Sequence, residues 1–126
     1  MDKISIQGSP KTPTVNFDPE RGVLEIKGRS IPENSVDFYQ PLFDSLGRYA
    51  SSPQSATNVK IDLEYYNSSS SKCIVDILRA LENIHAKHAG VTINWYFDKD
   101  DKTMQDAGED YQNIIKIPFN IIEKEG

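Results

Sequence analysis

The chain has 126 residues, of which 37% are hydrophobic and 26% charged, with a formal net charge of -5. A chain of this length suits one domain that buries about two-thirds of the surface its unfolded form exposes, so a packed core is expected. The acidic balance argues against a general electrostatic attraction to nucleic acid, and the modest apolar content argues against a membrane protein. No stretch approaches the roughly 18 uninterrupted apolar residues of a spanning helix, and the opening "MDKISIQGSP" lacks the charged-then-apolar start of a secretory signal. The expected location is cytoplasmic, with no direct membrane insertion. Cys73 is the single cysteine, so no internal disulfide is expected, and its place at the start of an apolar helix suits a buried small hydrophobe better than a reactive thiol.

In chain order, "ISIQ" admits a short strand. "TVNFD" and "VLEIKG" then alternate on either side of "PERG", where Gly22 supplies the turn of a β-hairpin with Leu24 and Ile26 facing the core. Tyr39, Leu42, Phe43, Leu46, Tyr49 and Ala50 recur at helical spacing, which predicts a first helix over roughly 36 to 51 with an irregular turn or kink at Pro41. "NVKIDLEYY" reads as a strand with Val59, Ile61, Leu63 and Tyr65 on one face. After the run of four serines, Ile74, Ile77, Leu78, Leu81 and Ile84 form one stripe of a second helix, stopped by Gly90. "VTINWYF" is another strand, "DKDDK" an acidic turn, and Met104, Ala107, Tyr111 and Ile115 mark a third helix before a last strand at about Phe119 to Ile122. The fold class is therefore α/β: a single-domain sandwich of a mixed, partly parallel sheet of about five strands with about three helices, because strand, helix, strand units cross over right-handedly.

The serines Ser68, Ser69, Ser70 and Ser71 fall where a strand ends and a helix starts, beside unpaired amides and the positive end of the helix dipole. That place welcomes an anion, so a phosphate, bound as a ligand or attached to a serine and helped by Lys72, is one reading. Capping by one serine is another, and it accounts for one hydroxyl of the four. A third is a hydrolase nucleophile, since Ser69 to Lys72 meets the S-x-x-K spacing, but the S-D-N and K-T-G elements that accompany it are missing. Asn67, Ser68 and Ser69 also match a glycosylation acceptor, for which a cytoplasmic chain has no use.

Other candidates are thin. His85 and His88 stand three apart without a partner cluster and suit a helix C-terminus. Asp98, Asp100 and Asp101 are weak candidates for a Mg²⁺ site and equally suit the N-terminus of the third helix. Phosphate-loop, dinucleotide-binding and Cys/His metal patterns are absent, so no catalytic residue and no cofactor is assigned, and the chain reads as something bound or modified rather than as an enzyme.

Three blocks in order, "GRSIPEN" from Gly28 to Asn34, "EYYNSSSSK" from Glu64 to Lys72 and "WYFDKDD" with "GEDY" after it, resemble the SiaC family of bacterial regulatory phosphoproteins over nearly the whole chain, 1 to 126. The resemblance implies a non-catalytic switch phosphorylated by a dedicated Ser/Thr protein kinase and dephosphorylated by a PP2C-type phosphatase. It implies that the unphosphorylated form binds and activates a diguanylate cyclase, raising cyclic di-GMP and favouring biofilm formation. The architecture it implies is reminiscent of anti-sigma factor antagonists. The family's acceptor is a threonine directly after the asparagine, which places the acceptor here at Ser68, with Ser69 second. Tyr65, Tyr66, Asn67, Ser70, Ser71 and Lys72 are then the switch turn, and Arg29, Pro32, Glu33 and Asn34 a neighbouring contact surface. A serine- or Mg-dependent hydrolase and a phosphate-ligand-binding module stand as alternatives.

Overall fold

A computed structural model describes residues 3–125. One sheet of six strands runs in sequence order: β1 (Ile4–Ile6), β2 (Thr14–Asp18), β3 (Val23–Ser30), β4 (Thr57–Tyr66), β5 (Val91–Phe97) and β6 (Phe119–Glu123). β1, β2 and β3 pair antiparallel, and β3 through β6 pair parallel. The expected count of about five rises to six because "ISIQ" does form a strand, with Ile4 opposite Phe17 and Ile6 opposite Val15.

Three helices make the parallel crossovers: α1 (Ser35–Tyr49), α2 (Ser68–His88) and α3 (Lys102–Ile114). Right-handed crossovers that step the same way across a sheet put their helices on the same side. The burial pattern agrees, since Val91, Ile93, Trp95 and Phe97 of β5 are buried while Thr92, Asn94 and Tyr96 between them are partly open. The core lies between the helices and that one face.

The hairpin turn holds as expected, with Gly22 at φ 67° donating its N–H to the Asp18 carbonyl. α1 is continuous through Pro41, contrary to the expected irregular turn. The carbonyl that the proline leaves without a donor belongs to Asp37, which is exposed and open to water, so the ring costs the helix little there. α2 ends with Ala89 at φ 60° followed by Gly90 at φ 85°, and a side chain on Gly90 would meet the Ser55 carbonyl oxygen at 2.2 Å. The aromatic centre is Trp95, whose ring lies 5.3 Å from Tyr111 and 6.5 Å from Tyr66, and whose Nε1–H donates to the Met104 carbonyl at 3.0 Å.

One strand departs from its simple alternation. Gly28, at φ 121°, pairs with Leu63, whereas the next residue, Arg29, pairs with Tyr65, so β4 carries an extra residue at Glu64. The bulge reverses the side-chain phase beyond it. Tyr65, expected on the core face, is 51% exposed, and Tyr66 turns inward against Trp95 instead.

Candidate functional site

Because β3 and β4 are parallel neighbours, their C-terminal ends launch α1 and α2 side by side. The Asn67 N–H donates to the Ser30 carbonyl at 3.1 Å, tying the last residue of β3 to the residue that opens α2. The cap of α2 is Asn67 and not a serine: its Oδ1 accepts from the Ser70 N–H at 2.9 Å. All four serines lie inside the first turn of the helix, so the capping reading fails for the serines. Asn67 carries the shorter route to that amide because its backbone is extended and its carbonyl oxygen reaches forward.

The four hydroxyls have four different fates. Ser68 is exposed and makes no side-chain hydrogen bond among the described residues. Ser69 is also exposed, but its hydroxyl donates to Asn67 Oδ1 at 3.1 Å and stands 2.8 Å from Ser35 Oγ. Ser70 is fully buried and accepts from Ser30 Oγ at 2.8 Å, with Ser35 Oγ at 3.2 Å on its other side. Ser71 is half-buried, 3.2 Å from the Tyr111 hydroxyl.

These contacts join into one chain. Tyr39 Oη stands 2.6 Å from Ser30 Oγ, and from there the bonds run through Ser70, Ser35 and Ser69 to the Asn67 carbonyl oxygen. A single direction satisfies every member, each hydroxyl donating to the next and Asn67 accepting at the end. Burial pushes the Tyr39 phenol up to about 12, with Cys73 adding to the rise and the Ser30 bond opposing it, so Tyr39 stays a donor at any physiological pH. Ser30, Ser35, Tyr39 and Tyr111 were not among the residues singled out from the sequence. Ser30 was findable, because it follows Leu24, Ile26 and Gly28 on the core-facing phase of β3.

Around this cluster, Lys72 is exposed one turn after Ser68, and Arg29 lies with its guanidinium carbon 5.8 Å from the centre of the Tyr65 ring. Glu33 is exposed. Asn34 is the cap of α1, accepting from the Asp37 N–H at 3.1 Å, and Pro32 is buried, so Pro32 supports the loop from beneath and offers little surface. Burial, followed by the neighbouring Tyr111 hydroxyl, raises the Tyr66 phenol above its ordinary range. Burial likewise pushes the Cys73 thiol up, which keeps it protonated and inert.

The arrangement does not build the alternative chemistries. The Ser69 proton goes to Asn67 rather than toward Lys72, so the S-x-x-K spacing yields no activated pair. Asp101 caps α3 by accepting from the Met104 N–H at 3.0 Å, Asp98 pairs with Lys124 at 3.5 Å, and Asp100 is exposed on the same turn. Among the described residues no three His, Cys, Asp or Glu side chains gather as a metal set. His85 Nδ1 accepts from the Val91 N–H at 3.2 Å and His88 is exposed at the end of α2.

The arrangement is that of a small one-sided α/β domain that presents a free hydroxyl at the start of a helix, on a polar support whose hydroxyls are bonded to one another. The chain belongs to the SiaC family of regulatory phosphoproteins, whose family model matches residues 6–124. A curated uncharacterized protein of Pseudomonas aeruginosa strain UCBPP-PA14 is 30% identical over 121 residues, 96% of each chain. Among solved structures, SiaC of Pseudomonas aeruginosa superposes with a TM-score of 0.90 at 29% identity, covering 98% of this chain and all of that one. The structure of the diguanylate cyclase SiaD in complex with its activator SiaC, from the same organism, contains a chain that matches with a TM-score of 0.90 at 29% identity over 96% of this chain and 99% of that one. The protein is thus a bacterial-type signalling regulator without catalytic activity of its own.

Proposed function

We propose that the protein activates a diguanylate cyclase when unphosphorylated and is switched off by phosphorylation of Ser68. The observation that carries this reading is the isolation of the Ser68 hydroxyl: it leads α2, faces solvent, and is tied to no neighbouring side chain among the described residues. The cyclase as partner is supported by the relative that is solved as the activator of SiaD. A dedicated Ser/Thr kinase installs the phosphate and a PP2C-type phosphatase removes it, both acting in the cytoplasm on a chain that works from 1 to 126 as one regulatory domain.

Phosphorylation adds about -1.5 to -2 charge, which the amides of the first helical turn accommodate and Lys72 partly offsets. The added charge falls on a chain already at -5. A partner surface shaped for a neutral serine must then desolvate a dianion, and a penalty of about one or two kcal/mol lowers affinity roughly five- to thirty-fold. The switch needs no refolding. Tyr65, which the bulge turns outward, and Arg29 stacked on it form an exposed aromatic and cationic pair at the C-terminal ends of β4 and β3, which supports a docking surface at that edge.

The test is cyclic di-GMP synthesis by the purified cognate cyclase, titrated with wild-type protein, Ser68→Ala and Ser68→Asp. Wild type and Ser68→Ala should activate alike and Ser68→Asp should fail. Full activation by Ser68→Asp and by the Ser68-phosphorylated protein overturns the reading.

A further inference from the structure

The two exposed serines at the start of α2 are chemical twins with unequal surroundings. Ser68 is untethered, whereas Ser69 gives its proton to Asn67 Oδ1 at 3.1 Å and presents its oxygen to Ser35 Oγ at 2.8 Å. Ser35 comes from the first turn of α1, is only 3% exposed, and is itself held by Ser70 Oγ at 3.2 Å. Its place is therefore set by α1 and by the buried Ser70, not by the exposed Ser68.

Phosphoryl transfer to a serine asks two things of the hydroxyl. A lone pair must point in line at the terminal phosphorus of a nucleoside triphosphate, and the proton must leave to a base on the kinase. The new O–P bond forms as the bond to the departing nucleoside diphosphate breaks. Ser68 meets both demands as it stands. Ser69 must first give up the Asn67 acceptor and its Ser35 partner, and doing so cuts the hydroxyl chain between the buried Ser35 and its Asn67 terminus.

We propose that Ser35 and Asn67 form a latch that withholds Ser69 from phosphorylation and so selects Ser68, with Ser69 a latent second acceptor. Ser35 is the positioning residue of this device, because it acts on the acceptor choice from another element: its hydroxyl holds Ser69 at 2.8 Å and makes no hydrogen bond to Ser68. The inference rests on Ser68 being the phosphoacceptor, and it goes beyond that by assigning a role to Ser35 and by predicting a single main product from a run of identical hydroxyls.

The experiment is peptide-resolved mass spectrometry of the protein expressed in its native cell without the phosphatase, comparing wild type, Ser35→Ala and Ser35→Thr. Wild type should carry phosphate on Ser68 with little on Ser69. Ser35→Ala should raise the ratio of Ser69 to Ser68 phosphate several-fold and produce doubly phosphorylated chains, and Ser35→Thr, which keeps the hydroxyl, should restore the wild-type ratio. Thermal melting establishes that each variant is folded. Should Ser35→Ala not fold, Asn67→Gly, which costs a helix start only a few tenths of a kcal/mol relative to the native cap, removes the other half of the latch and decides the matter.

An unchanged phosphate on Ser68 alone in the folded variants overturns the latch and leaves the acceptor assignment standing. Wild-type protein already shared between Ser68 and Ser69 does the same. A wild-type run without any phosphate overturns the acceptor assignment and the latch together.

Discussion

The Trp95 indole occupies the space a side chain on Gly108 would need: a Cβ there would meet Trp95 Cδ1 at 2.5 Å and Nε1 at 2.7 Å. The ring that organises the core thus lies directly on the backbone of α3, which explains a glycine in the middle of that helix. Gly108→Ala should lower stability. Overpacking costs about 1–3 kcal/mol, and three contacts at 3.0 Å or less with a fully buried ring put this site toward the upper end, above the roughly 1 kcal/mol that the better helix propensity of alanine returns. A reduced urea midpoint, with a changed near-ultraviolet dichroism of the single tryptophan, is the expected result; an unchanged midpoint contradicts the packing.

Asn67 is the one residue that both caps α2 and ends the hydroxyl chain. Asn67→Ala should cost about 0.5–2 kcal/mol, the range for losing a cap, whereas Asn67→Asp keeps an acceptor for Ser70 N–H and should stay close to wild type. Denaturant unfolding of the pair separates the cap from any effect of changing residue size. Equal losses in both variants count against the capping role.

Tyr39 gives an alkaline prediction. Its folded-state pKa is raised by burial from 10.0 to about 12, so the unfolded chain loses this proton first as pH rises. The stability linked to it is complete below 10.0 and is lost as pH climbs from there through about 12. Tyr39→Phe should be less stable at neutral pH by about 1 kcal/mol for the lost hydrogen bond, and should decline less steeply across that alkaline window. The check is the slope of urea stability against pH for both proteins. Parallel slopes overturn the assignment.

Glu82 gives the opposite sign at the acid end. Its carboxylate accepts from the Lys116 backbone N–H at 2.6 Å and from Arg79 at 3.0 Å, and these contacts hold it below the usual carboxylate range. The contribution is complete above the ordinary carboxylate pKa and is lost as pH falls through the lowered folded value. Glu82→Gln should therefore melt lower at neutral pH and converge with wild type on acidification. A constant difference in melting temperature at all pH values speaks against it.

Much of the architecture is legible in local patterning. The hairpin around Gly22, the stripe of α2, the alternation of β5 and the element order all follow from periods of two and 3.6, because a strand or helix buries one face and the apolar residues repeat accordingly. The blocks from Gly28 to Asn34 and from Glu64 to Lys72 also point to the family. Ser30 stands on the core-facing phase of its strand, so its burial too is implied by the pattern.

What the linear sequence does not carry is the relation between elements. Nothing in "LEYYN" announces that an extra residue at Glu64 turns Tyr65 outward and Tyr66 toward Trp95; that follows from the register of β4 against Gly28 of β3. The serines offer the same contrast. Their composition and place at a helix start were fixed by residue order, and with them the suitability of this turn for a phosphate. Which hydroxyl is free, which is held and which is sealed is decided by Ser30, Ser35, Tyr39 and Tyr111, brought to the same place by parallel strand pairing and helix packing across separations of up to 40 residues. Periodicity is a local property of the chain, whereas a hydrogen bond between side chains that far apart exists only once the sheet has set both helix starts at one edge.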